Sequence, residues 1–269
     1  MTIRHSANRP SRRRVFQLSL STLLASFLIL PAAFAAEEGV YIETLNHSTG
    51  LMGETPQEDQ NQTFLAYGKM KVSDTADGGS DMLLDPATGT MTFINHAAKK
   101  YYQINIKNVK DSMSQPGMEQ MRNMIADTKI SVQDTGETQQ IGSWNCHKYL
   151  VSKTGMMGVE QEIWATEDVD LDMSRFTEMT SLAGPDGLLA NTSEGKAQLD
   201  EMAKIKGFPI LTKTKMQMMG SSIETESEVK VIRKEAMEPS IFDIPKDYAQ
   251  REMGAGMSPN DTPADAAHP

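Results

Sequence analysis

The sequence predicts a mainly β protein of the α+β class, with an antiparallel curved sheet forming an open half-barrel and inserted helices as its lid. Three observations predict this. Short segments between residues 39 and 248 alternate apolar and polar side chains and are bounded by Gly, Pro, Asn and Asp. Two stretches, 108–128 and 172–206, carry the helical period instead. The chain has one cysteine, Cys146, so no disulfide within the chain can stand in for a packed core.

The elements follow in order. Gly39 to Asn46 alternates Val40 and Ile42 against Tyr41 and Glu43, a first strand. Leu51 to Asn61 is polar and reads as a loop, and Gln62 to Val72 as one strand with Phe64, Ala66, Met70 and Val72 on its buried face. Asp81–Leu84 and Thr90–Asn95 flank Asp85-Pro86-Ala87-Thr88-Gly89, a hairpin whose Pro presets φ. Lys100 to Ile104 extends the meander. Met118, Met121 and Ile125, with Met124, share a helical face near Pro116. Lys129 to Val132, Trp144 to Lys153 and Gly158 to Thr166 are strands. Asp172–Ala183 is a helix with Phe176, Met179 and Leu182 inward, broken by Gly184-Pro185-Asp186-Gly187. Ser193 caps a further helix that Gly207 stops. Phe208–Met219 and Ile223–Lys234 form the last hairpin. The count is nine to eleven strands in a single domain, 36–250, followed by a disordered tail, 251–269.

The amino terminus reads as a cleaved signal peptide from Met1 to about Ala35. Five arginines precede an apolar run, Leu18 to Leu30, and Ala33-Phe34-Ala35 supplies the cleavage site. The run is shorter than the roughly 20 residues of a spanning helix. Arg13-Arg14-Val15-Phe16 resembles a twin-arginine signal, but the hydrophobicity of the run favours the Sec route. A periplasmic or secreted protein is expected, with no transmembrane segment in the mature chain. The net charge is −10, and the leader removes only positive charge, so the mature chain is more acidic still. That excludes nucleic acid, which requires clustered Lys and Arg.

No catalytic pattern is present: the sequence has no G-x-S-x-G elbow, zinc-spaced histidine pair, phosphate loop or C-x-x-C pair. Cys146 and His147 alternate across a strand and cannot form a nucleophile–base dyad. A non-enzyme without a cofactor is expected. Methionine, at 20 residues, is the distinctive feature of the composition, and its flexible thioether suits an adaptable apolar pocket. Met118, Met121, Met124, Met216, Met218 and Trp164 are the pocket candidates. Three readings compete with a pocket: methionine as core filler, a copper site joined by His47, His96 or Cys146, and an envelope protein–protein module with a filled barrel.

Certain phrases carry a resemblance. Ile141 to Tyr149, Glu162-Ile163-Trp164-Ala165, Gly207-Phe208-Pro209-Ile210 and the F-x-x-P-x-x-Y phrase Phe242 to Tyr248 resemble those of a bacterial exported family of unknown function. Its fold is similar to that of the periplasmic lipoprotein carriers and outer-membrane lipoprotein receptors, the LolA/LolB-like half-barrel. The resemblance covers about residues 38–250. It implies a half-barrel that holds a lipid, an acyl chain or another apolar group, and it brings no catalytic residue.

Overall fold

The structure is a computed structural model, and it describes residues 36–49, 55–155, 158–183, 192–218 and 221–251. The leader, Met156, Met157, Met219, the Gly184–Gly187 breaker and the tail beyond Arg251 lie outside the described residues.

One open, curved sheet of twelve strands organises the chain, in the order β12-β6-β5-β4-β3-β2-β1-β11-β10-β9-β8-β7. The strands are β1 Glu37–Ser48, β2 Gln57–Ala66, β3 Lys69–Asp74, β4 Ser80–Asp85, β5 Thr90–Asn95, β6 Lys100–Asn105, β7 Lys129–Ile141, β8 Trp144–Thr154, β9 Gly158–Thr166, β10 Phe208–Met218, β11 Ser221–Met237 and β12 Ala249–Gln250. All pairs are antiparallel except β12 with β6, a two-residue parallel contact. Among the described residues the α-helices are α1 Ile106–Met113, α2 Glu119–Ala126, α3 Met173–Ala183 and α4 Ser193–Met202.

Three expectations about the elements are corrected. The stretch 62–72 is two strands, because Tyr67 (φ 53°) and Gly68 (φ 69°) form a two-residue hairpin turn. Leu65 therefore pairs with Met70 and Phe64 with Lys71, so Phe64 and Met70 lie on opposite faces. The polar residues 57–61 are strand rather than loop, paired with 44–48 of β1. The stretch 108–128 is two short helices. Asn105 caps α1 by accepting from the Lys107 and Asn108 amides, and Pro116 interrupts the run before α2.

The C-terminal helix forms where expected, but its cap is Thr192, whose hydroxyl accepts from the Gly195 amide at 3.0 Å. Gly207 then turns the chain into β10 at φ 86°, and a Cβ there would lie 2.1 Å from the Thr166 carbonyl oxygen, so only glycine fits.

Among the described residues, apolar side chains collect in three clusters. The largest joins Ile42, Leu65, Met70, Leu84, Met91, Trp164, Met179, Phe208 and Ile210, with Phe176 of α3 packed on Phe208. A second holds Tyr41, Leu83, Ile94, Met237 and Phe242. The third holds Val132, Tyr149, Val151, Ile163 and Ala165 beneath Met202 and Ile205 at the end of α4. Each fully buried aliphatic side chain contributes about 2 kcal/mol.

The second cluster explains the terminal F-x-x-P-x-x-Y phrase. Residues 238–251 form a strap over the β3–β6 face. Phe242 inserts into the cluster, and Lys99 pairs with Asp247 at 2.9 Å. The Tyr248 hydroxyl and His96 Nδ1 stand 2.9 Å apart. His96 Nε2 in turn lies 2.9 Å from Asp81, whose carboxylate also meets Lys71 at 2.8 Å. Asp81 is 5% exposed. Burial alone would raise its pKa, but hydrogen bonds from Lys71, Ser73 and His96 and the Lys71 charge hold it below the ordinary carboxylate value.

The far edge of the sheet is blunted as well. Along β7 and the residue before it, α4 supplies side chains where a strand would otherwise pair: Glu201 accepts from the Val132 amide at 3.1 Å, and Gln198 donates to the Thr128 carbonyl at 2.8 Å. A register shift between Asp134 and Thr138 bends the same strand.

Candidate functional site

One hollow among the described residues is lined mostly by charged and polar residues. It encloses about 710 Å³ against one face of β7–β11 and the end of β1. Strand register builds it. Cross-strand partners share a face, and two rows run side by side across six strands. One row reads Gln133, Leu150, Glu162, Lys213, Glu226, His47. The next reads Ser131, Ser152, Glu160, Lys215, Glu224, with Thr49 bound to the Glu224 carbonyl at 2.9 Å.

The rows alternate charge across strands. Lys213 meets Glu226 at 3.3 Å, and Lys215 meets Glu224 at 3.3 Å. Glu162 accepts from Trp164 Nε1 at 2.8 Å and pairs with Lys148 at 3.1 Å. The Trp164 hydrogen bond, then Lys148, hold the Glu162 carboxyl below its ordinary pKa, so it stays ionised at neutral pH. The Lys148 ammonium also lies 5.4 Å from the Trp164 ring centre. Leu150, at 42%, is the exposed large hydrophobic residue among those described.

Of the sequence-derived candidates, the side chains of Trp164, Met118 and Met216 are described, and they stand in different places. Trp164 is buried at 6% in the largest core, and its indole N–H serves Glu162. Met118 is half-buried in the turn before α2. Met216 is half-buried on β10, opposite Val159 and Ile223. Neither Met118 nor Met216 is among the described residues that line the hollow or pack on the largest core. The side chains of Met121, Met124 and Met218 lie outside the described residues. An apolar cleft does exist under α3, between Val40, Leu65, Phe176 and Met179, but it encloses about 130 Å³.

The residues considered for copper do not meet. His47 opens into the hollow, His96 is engaged by Asp81 and Tyr248, and Cys146 is sealed in the core at 0% exposure. Burial, then the charge of Asp168, push the Cys146 thiol pKa up, which keeps it a thiol. His147 is exposed on the opposite side of β8, so the pair forms no dyad.

The polar wall went unread in the sequence, although its signal is there. Glu160 and Glu162, Lys213 and Lys215, and Glu224 and Glu226 repeat the same i, i+2 charge pattern on three consecutive strands.

The fold and wall define a class: an open, curved, mainly antiparallel sheet with helical cover and a broad polar hollow. Within it, the chain belongs to the family described as a domain of unknown function (DUF4412), which matches residues 55–248. That meets the resemblance to a family of unknown function expected over residues 38–250. No curated protein matches. Solved structures do match. PNGF-II is 12% identical with a TM-score of 0.37, over 80% of this chain and 31% of that one, so this chain spans about a third of its length. A LolA superfamily protein from Nitrosomonas europaea is 8% identical with a TM-score of 0.30, over 77% and 90% of the two chains. A putative outer membrane lipoprotein-sorting protein domain from Vibrio parahaemolyticus is 9% identical with a TM-score of 0.25, over 76% and 89%.

Proposed function

We propose that this chain is an exported binding protein that holds a ligand against the wall of its open sheet and carries out no chemistry on it. The observation that carries the reading is the 710 Å³ hollow, which falls within the range of about 300–1,000 Å³ typical of ligand sites. Its wall is built from paired charges and hydroxyls, so the ligand it suits is polar. This agrees with the filled-barrel alternative, in which a face of the sheet meets an envelope partner. Export rests on the leader, and amino-terminal sequencing of the protein from its own envelope is expected to begin at Ala36.

A second reading has its own observation. The apolar cleft under α3 suits a lipid or acyl chain, but at about 130 Å³ it takes one only if α3 lifts from Val40 and Leu65. Native mass spectrometry of the protein from its envelope, with extraction of bound material, tests both. A bound polar molecule or polypeptide is the expected result. A stoichiometric lipid overturns the first reading in favour of the second.

A further inference from the structure

We infer that the polar wall binds an extended, lysine- or arginine-bearing segment of another polypeptide; this deepens the binding reading above and rests on it. Size is the first argument. Six strands at about 4.8 Å spacing make a wall about 24 Å across, the length of about seven extended residues at about 3.4 Å each.

Charge is the second argument. The wall carries Glu160, Glu162, Glu224 and Glu226 against Lys213 and Lys215. Both lysines are held by β11 carboxylates. Glu160 is exposed and makes no ion pair with any described residue, whereas Glu162 beside it is paired with Lys148 at 3.1 Å. The surplus on the wall is therefore the one negative charge of Glu160, on a chain whose net charge is already −10, and that field draws in cations.

The lining supplies the third argument. Among the described residues it includes no Phe, Tyr or Trp for a sugar to stack on, His47 being its one ring, and no excess of cations for phosphate. It does offer one apolar foothold, Leu150, whose cross-strand partner is Glu162. A basic side chain next to an aliphatic one matches that pair.

The test is fluorescence polarisation of the protein with a labelled heptapeptide that alternates lysine with leucine and serine, against the same peptide with glutamate for lysine. Saturable binding of the lysine peptide, weakened by added salt, is expected, with no binding of the glutamate peptide. Glu160→Lys is expected to weaken binding about tenfold, and Leu150→Ser about threefold. Asp77→Lys, the same charge change on a distant exposed turn, leaves it unchanged. Equal loss from Glu160→Lys and Asp77→Lys overturns the site, because only net charge then matters. If the glutamate peptide binds and Leu150→Ser weakens it, the cationic class is wrong while binding at the wall stands. If neither peptide binds but a fluorescent fatty acid does, and Phe176→Ala abolishes that uptake, the wall reading fails altogether.

Discussion

The two halves of the sheet handle their polar residues in opposite ways. In β3–β6, one face is closed by the strap, and its charges turn inward: Asp81, Lys71 and His96 bond one another and Tyr248. In β9–β11, the charged face is left open, and its carboxylates and lysines pair sideways at 3.3 Å with about half of each side chain exposed. The lesson is one of cost. A buried charge must be fully partnered because losing a partner leaves it stranded. An exposed pair adds little to stability and is free to meet a ligand. The first half closes its charges into the fold, and the second leaves them open to solvent.

Substitutions sharpen or break that contrast, and unfolding in urea reads each of them. Phe242→Ala removes the strap's anchor from the second cluster and is expected to cost about 3 to 4 kcal/mol. A loss under about 1 kcal/mol means the strap is not part of the cooperative unit.

Asp81→Asn is expected to cost about 2 to 3 kcal/mol at pH 7. Its pH dependence has a definite sign. The folded carboxyl titrates below its ordinary value of 3.8. Its contribution is therefore fully present above that value and is lost as pH falls through the lower, folded pKa. The wild type should lose this share of stability only below about pH 4, while the variant lacks it at every pH. Parallel acid limbs for the two proteins contradict the assignment.

Tyr248→Phe deletes one hydrogen bond to His96 and should cost about 1 kcal/mol. At the small end, Glu226→Gln on the open wall should change stability by less than about 0.5 kcal/mol. A cost near that of Asp81→Asn would remove the distinction between the halves.

Much of the fold was legible in the sequence. The hairpin at Asp85–Gly89 and the α3 helix from residue 173 fall where periodicity places them. The Tyr67–Gly68 turn was hidden because a two-residue turn keeps the count of two intact, so Phe64, Ala66, Met70 and Val72 read as one uninterrupted face. A tyrosine at positive φ gives no local signal either. A methionine pocket cannot be read from phase alone for a related reason. Pro116 divides the helical run into α1 and α2, and which strand a helix faces is a matter of tertiary packing. The polar wall needed the sheet order. Each i, i+2 charge pair was visible, but that β1 lies beside β11, and that β9, β10 and β11 align their charges row on row, follows from long-range register.

The most direct test of the central division is amide hydrogen exchange with and without saturating lysine heptapeptide. The account predicts added protection in β9, β10 and the first part of β11, residues 158–166, 208–218 and 221–228, with β4–β6 and the strap unchanged. Protection confined to residues 80–105 or 238–251 would contradict it, placing the ligand on the half assigned to stability.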